Sequence, residues 1–286
     1  MIVIVKLVMI LALLVITAVA GGALFVGLVK RTSLFYPERY PAGNWEVGRL
    51  AVRPDDHFFP SGDGTRLHAW SFRATDPSAP TLIWFHGNGN NISERGTHAA
   101  RLAQKGLNVF LFDYRGYGRS EGVPTEAALY LDSIAAYDFV ADALSRPRPS
   151  IAVYGESLGG AYAAWVARER PVRCVVIENS FPSLQSVGRM IYPNVPLHLY
   201  VRKSLRTLDW LNDAGRPVLV MHGARDTTLP ISLGRELFAA LRVPKRLLIS
   251  ETAGHCQIPS LEGDRYDREV LAFVASPPAA GETLAP

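Results

Sequence analysis

Along residues 81–275, short and almost uninterrupted apolar runs alternate with longer stretches in which apolar residues recur every three or four positions. The runs 81–85, 108–112, 150–154, 172–177, 217–221 and 246–250 predict strands buried on both faces, because a strand with one wet face would alternate apolar with polar. The stretches 93–105, 125–143, 159–168, 232–241 and 264–275 predict helices. Strands that take turns with helices give a mostly parallel sheet flanked by helices, an α/β fold. Ahead of this series, 55–72 reads as a β-hairpin. Its turn is Asp63-Gly64, and Leu67, Ala69 and Ser71 alternate with His68, Trp70 and Phe72. The alternation is interrupted once, at 181–213, which reads as a short cap insertion over one edge of the sheet.

The N-terminus has a different pattern. From Leu7 to Val29 there is no charge, and Thr17 is the one conventionally polar residue. A helix needs about 20 apolar residues to span a bilayer, so 1–31 predicts a single-pass transmembrane or signal-anchor helix and a membrane location. Ala18-Val19-Ala20 resembles a signal-peptidase site, but the apolar run continues past it, beyond the roughly 7–15 residues of a signal core. Lys6 and the free amine stand on one side, with Lys30, Arg31 and Arg39 on the other; charge counting slightly favours a cytoplasmic main domain, while uncleaved signal anchors often export theirs, so the membrane face stays open. Residues 32–52, with Pro37, Pro41 and Gly43, read as a connecting arm. Residues 53–276 form the main domain, and 277–286 is a Pro/Ala-rich tail expected to be disordered.

Composition adds little. The 286 residues are 48% hydrophobic and 20% charged with a net charge of +4, which is ordinary for a globular chain. The mild basicity suits an anionic lipid surface. No Lys/Arg run is interleaved with aromatics, so a nucleic-acid partner is not expected. Cys174 and Cys256 fall at opposite ends of predicted strands, too far apart to bridge.

The chemistry is carried by loops that follow strands. Gly155-Glu156-Ser157-Leu158-Gly159 matches G-x-S-x-G between a strand and a helix, the context in which that motif presents a nucleophilic serine on a tight turn. A serine hydroxyl needs a base, and the base needs an orienting acid. In the required chain order, Asp226 follows the strand 217–221 and His255 follows the strand 246–250. Glu178, at the end of the strand 172–177, is the rival acid. His86-Gly87-Asn88 after the strand 81–85 supplies an oxyanion-hole loop, pairing the backbone N–H of Asn88 with that of Leu158. His57, His68, His98 and His198 lack such a context and read as structural or surface residues. The loop 113–122 is Gly-rich but has no phosphate-binding signature, and is expected to pack beside the pocket.

The strings HGNGNN, DYRGYGRSEGVPTEAAL, GESLGGAYAAWVA, ENSFPSL, HGARDTTLP and AGHCQIP, in that order behind an apolar N-terminal helix, resemble the Bem-type branch of the α/β-hydrolases. That branch is related to membrane-associated protein depalmitoylases. The resemblance runs from about Phe35 to the last helix. It implies an α/β-hydrolase fold with an eight-stranded, mostly parallel sheet, with Ser157 as nucleophile, Asp226 as acid and His255 as base. Two departures stand out. HGNGNN replaces the common HGNAGN, and Cys256-Gln257 replaces the Asn-Asp that often follows the histidine.

Motifs and resemblance together give a serine hydrolase that cleaves carboxylic esters or thioesters, with lipid-like acyl substrates expected, through an acyl-enzyme intermediate. This chemistry calls for no cofactor and no metal. The rivals are a serine peptidase and a membrane-tethered, non-catalytic scaffold on the same fold.

Overall fold

The computed structural model describes residues 34–191, 193–194, 201 and 203–279, together with Thr17, Gly21 and Gly22. The expected membrane helix, apart from those three residues, lies outside the described residues. So do His198, the middle of the cap insertion and the tail from residue 280 onward. Among the described residues, no helix is long and apolar enough to cross a membrane.

Eight strands form one sheet: β1 (Asp55–Pro60), β2 (Arg66–Phe72), β3 (Thr81–Phe85), β4 (Asn108–Asp113), β5 (Ile151–Glu156), β6 (Val175–Glu178), β7 (Val218–Gly223) and β8 (Lys245–Ser250). Their spatial order is β8-β7-β6-β5-β3-β4-β2-β1. The hairpin partners β1 and β2 pair antiparallel, as do β2 and β4, and the remaining neighbours are parallel. The helices of eight or more residues among those described are α1 (Gly96–Gln104), α2 (Glu126–Asp138), α3 (Gly159–Glu169), α4 (Leu184–Ile191), α5 (Thr207–Ala214), α6 (Ile231–Ala240) and α7 (Gly263–Ala275). The result is a mostly parallel sheet flanked by helices, as the alternation predicts, with the eight strands that the resemblance implies.

Two cores lie on opposite faces of the sheet because side chains alternate along a strand. Ile83, Phe85, Phe110, Phe112, Ile151 and Val153 pack under α2, α3, α5 and α6. Their neighbours Leu82, Trp84, Val109, Leu111, Ala152 and Tyr154 pack under α1 and α7. All five residues of β3 are buried, which accounts for the absence of polar alternation there. The predicted insertion 181–213 contains two different things. Its first described part is α4. Its last part opens α5, which packs on α3 through Trp210 against Trp165, ring centroids 5.3 Å apart. Gly215, at φ +65°, closes α5 in the left-handed conformation that suits a helix C-terminus.

The loop 113–122 is held from inside. Arg115, almost fully buried, donates to both Asp132 oxygens and to Asp63. Asp132 also accepts from the Arg115 amide and the Ser61 hydroxyl. Removing one partner of a buried ion pair leaves an uncompensated charge. Asp132→Ala is therefore expected to cost about 3–5 kcal/mol in urea unfolding, whereas Asp63→Ala, at the exposed side of the same guanidinium, should cost far less because solvent screens that pair. Equal losses would remove Asp132 as the anchor of this loop.

Candidate active site

β5 ends in the elbow Gly155–Gly159. Ser157 has φ +53°, a conformation that costs an L-residue about 1–3 kcal/mol. The surroundings hold it there. The Ser157 N–H donates to the Glu178 carbonyl at 2.8 Å, and Gly160 N–H donates back to the Ser157 carbonyl at 3.0 Å. A β-carbon at Gly159 would run into the Phe85 and His86 carbonyls, and one at Gly155 into the backbone of Gly160. The glycines of the motif are thus the condition for α3 to start this close to β3.

Ser157, Asp226 and His255 come from three separate loops at the C-terminal edge of the sheet and form one hydrogen-bonded chain. His255 Nε2 lies 3.0 Å from Ser157 Oγ, and His255 Nδ1 lies 2.7 Å from Asp226 Oδ2. An ionised carboxylate only accepts, so Nδ1 carries the proton and Nε2 is left to accept from the serine hydroxyl. Asp226 is fixed on all sides. Its Oδ1 accepts the Thr228 and Leu229 amides, each at 2.8 Å, and its Oδ2 accepts the Asn179 side chain at 2.6 Å. Burial pushes this carboxyl up, but the bonds from His255, Leu229 and Asn179 outweigh it and hold the pKa below the ordinary value.

The His86-Gly87-Asn88 loop sits over the elbow. A β-carbon at Gly87 would lie 3.5 Å from that of Ser157. The Asn88 carbonyl is held by the Tyr36 amide and the Tyr117 hydroxyl, both at 2.8 Å. Asn88 and Leu158 N–H donate to no acceptor among the described residues. The arm and the Gly-rich loop thus both brace the His86-Gly87-Asn88 segment.

The rival acid, Glu178, does not reach His255. Strand alternation sends it toward α1 and α7, opposite Glu156 on β5, where the Tyr154 hydroxyl donates to it. The two carboxyls diverge. Burial raises Glu156, but Arg95, at 2.6 Å from its Oε1, overrides that and holds it below the usual value. Glu178 has no such cation. Burial and the neighbouring Glu156 charge push it up to about 8.

The family described as "Serine aminopeptidase, S33" matches residues 76–186, a span that takes in His86-Gly87-Asn88 and the elbow. An uncharacterised protein of Mycobacterium tuberculosis is 33% identical over 251 residues, covering 87% of this chain and 89% of that protein. Protein Bem46 of Schizosaccharomyces pombe is 29% identical over 240 residues, 77% of each chain. The chain belongs to the Bem-type branch of the α/β-hydrolases. The esterase Pf2001 of Pyrococcus furiosus shares the fold of this Bem-type hydrolase, with a TM-score of 0.67 over 85% of this chain and 98% of that one at 22% identity.

Several residues of the Bem-type site are invisible to motif reading. Asn179 directly follows the strand-end Glu178, a position that marks it as a neighbour of the site but gives it no role. Arg95 bonds Glu156 from 61 positions away. His98, expected to be structural or surface, lines the cavity beside Ser157. Gln257, one of the two departures from the family string, accepts the Gly254 N–H at 3.0 Å and closes the loop that carries His255.

Glu178 gives this protein a distinctive pH dependence. The unfolded chain releases that proton near pH 4.5, the native one near 8, so between these values the unfolded chain binds fewer protons and stability falls as pH rises. The buried histidines His86, lowered to about 4, and His98 and His222, also lowered by burial, act in the opposite sense, but only below about 6.5. From pH 6.5 to 8 the unfolding free energy should therefore drop by roughly 1.5 kcal/mol, and Glu178→Gln should flatten that slope. Urea titrations at a series of pH values read it directly; an unchanged slope in the variant would mean that Glu178 is ionised in the native state.

Proposed function

We propose that this chain is a serine esterase or thioesterase working through an acyl-enzyme. The observation that carries the reading is the unbroken Ser157–His255–Asp226 hydrogen-bond chain on a strained elbow. Ser157 Oγ attacks the substrate carbonyl while His255 Nε2 takes its proton. The Asn88 and Leu158 amides receive the oxyanion. His255 then returns the proton to the leaving oxygen or sulfur as the carbonyl bond breaks. Water attacks the acyl-Ser157 ester with His255 again as base, and the acid and the free serine form. Asp226 stays ionised, holding the tautomer and offsetting the imidazolium charge.

The family's description as serine aminopeptidases keeps an aminopeptidase in view. Such an enzyme needs an anion for the substrate's terminal ammonium. The two buried carboxyls beside Ser157 do not provide one, since Glu156 is bound by Arg95 and Glu178 holds its proton at neutral pH, and the third carboxyl of the cavity, Glu94, is solvent-exposed, where an ammonium gains little. This supports an ester or thioester. Fluorophosphonate labelling and ester turnover test the assignment. Ser157→Ala should lose both with little change in stability, and Asp226→Asn should lower turnover by about 10⁴, with Glu178→Gln far milder. Full labelling of Ser157→Ala would overturn the nucleophile, and a reversed ranking of the carboxyls would move the acid to Glu178.

The proposal extends to location and acyl group. The uncharged stretch 7–29 supports a membrane anchor, and the apolar residues Met190, Ile191, Tyr192, Val195, Leu197, Leu199 and Tyr200, followed by Arg202, Lys203 and Arg206, support a cap that meets a lipid surface. The chain should stay with membranes after alkaline extraction and keep its N-terminus. Its efficiency should climb as the acyl chain lengthens, each buried methylene contributing up to about 0.8 kcal/mol. A soluble mature form beginning at Gly21, or acetyl and butyryl esters remaining the best substrates on anionic vesicles, would replace the lipid reading with a small soluble ester.

A further inference from the structure

The cavity beside Ser157 encloses about 350 Å³. Trp84, Glu178 and His98 line it, and each has a buried polar atom with no protein partner: Trp84 Nε1, Glu178 Oε1 and His98 Nδ1. Trp84 and Glu178 are each only 1% exposed. Buried polar atoms without partners are rare in folded proteins, and three around one cavity that also reaches Ser157 and His255 mark a place shaped for something that makes hydrogen bonds.

The charge of the cavity narrows what that is. Arg95 is occupied, donating to Glu156 at 2.6 and 3.2 Å and to the Asn91 carbonyl at 3.3 Å. Burial opposes its charge, and the Glu156 carboxylate restores it. Glu178 is uncharged up to about pH 8. A charged group at the buried end, beside Trp84 and Glu178, would shed its water without finding a free counter-charge, because the remaining carboxylate of the lining, Glu94, is solvent-exposed and accepts the Asn44 N–H. An uncharged hydroxyl suffers no such loss, since it can accept from the Trp84 indole N–H and both donate to and accept from Glu178 and His98. The position of the cavity says which part of the substrate it meets. Its wall continues from His255 through Cys256 to Pro259 and Ser260, and His255 is the group that hands a proton to the leaving oxygen, so what is attached to that oxygen lies along this wall.

We propose that this cavity is the leaving-group subsite and that it takes an uncharged, hydroxyl-bearing alcohol, such as a small polyol, esterified to the acyl group. The proposal rests on the acyl-transfer reading above and specifies the alcohol side of that same substrate.

The test compares glyceryl monobutyrate with propyl butyrate, which share the acyl group and differ in two hydroxyls, on the full chain. The kcat/KM ratio should favour the glyceryl ester by about tenfold or more, the loss expected when a site built to bond a hydroxyl meets an analogue lacking it. Trp84→Phe removes the indole N–H but keeps an aromatic ring against Tyr154, whose ring centroid is 4.4 Å away, and should lower the ratio about fivefold. His98→Leu, on the partly exposed side of α1, should do the same and decides the matter if Trp84→Phe does not fold. A merely structural role would slow both esters together and leave the ratio alone. A wild-type ratio near one means that the cavity holds only solvent, and a ratio unchanged in the folded variants places the preference elsewhere. Either result overturns the subsite. Hydrolysis of neither ester by a chain that still labels with fluorophosphonate overturns the subsite and spares the nucleophile, whereas loss of labelling overturns both.

Discussion

The closeness of α3 to the end of β3 is the constraint on which the rest of the site depends. Only residues without a β-carbon allow the elbow to pass the Phe85 and His86 carbonyls, and only that passage turns Ser157 outward with φ +53°. The strain, about 1–3 kcal/mol, is offset by bonds in two directions: to β6 through the Glu178 carbonyl, and into the first turn of α3. Nearly the whole of α3 is buried, so the helix cannot move away to relax the turn without opening the apolar core beneath it. Strain at Ser157 is in this sense held by Trp165, Trp210 and the alanines around them rather than by anything local to the serine.

A second constraint follows from bringing so many ionisable groups to one sheet edge. Asp226, Glu156 and Glu178 all lie within the buried ends of β5, β6 and the loop after β7, and three carboxylates together would repel strongly in a medium poorer than water. The fold separates them by neighbours. Asp226 is given amide donors and a histidine, Glu156 is given Arg95, and Glu178 is given only neutral donors, the Tyr154 hydroxyl and the Ile258 backbone, and keeps its proton. The acid that orients His255 is thus electrically distinct from the one immediately behind the elbow, although both follow apolar strands in the sequence.

How much of this could be read in advance depended on whether a feature was local. The strands, the elbow, the HG segment and the loops bearing Asp226 and His255 are each written in a dozen or fewer consecutive residues, and their order along the chain is enough to propose one site. Period-two alternation also contained the answer on Glu178. It shares a face with Cys174 and Val176, on the α1 and α7 side, and only a residue further out in a loop could reach around to His255. Features made by distant residues were not legible. Arg95 and Glu156 are 61 positions apart, Asn179 reaches across 47 to Asp226, and nothing in either local string announces the pairing. The insertion 181–213 misleads for the opposite reason. Its composition looks uniform, yet Trp210 and Leu211 belong to the sheet's own helical layer.

The segment from His86 to Asn90, proposed above to receive the oxyanion, shows why non-local bracing matters to chemistry. A run of glycines and asparagines has little intrinsic order, and donors that must wait for charge to develop lose their advantage if they reorganise when it arrives. Here the chain supplies the missing order from elsewhere. Tyr36 and Pro37 in the arm pair with Gly89 and Asn90 as a two-residue parallel strand, the Arg39 backbone bridges to Gly118, and the Tyr117 hydroxyl reaches the Asn88 carbonyl. The arm leads directly from the apolar N-terminal segment, so the geometry of the Asn88 amide is set in part by how the chain enters the domain. Residues 36–39 are thus tied to the segment beside Ser157 by a two-residue ladder, one isolated bridge and one side-chain bond, a support separate from the strands β5, β7 and β8 whose following loops carry Ser157, Asp226 and His255.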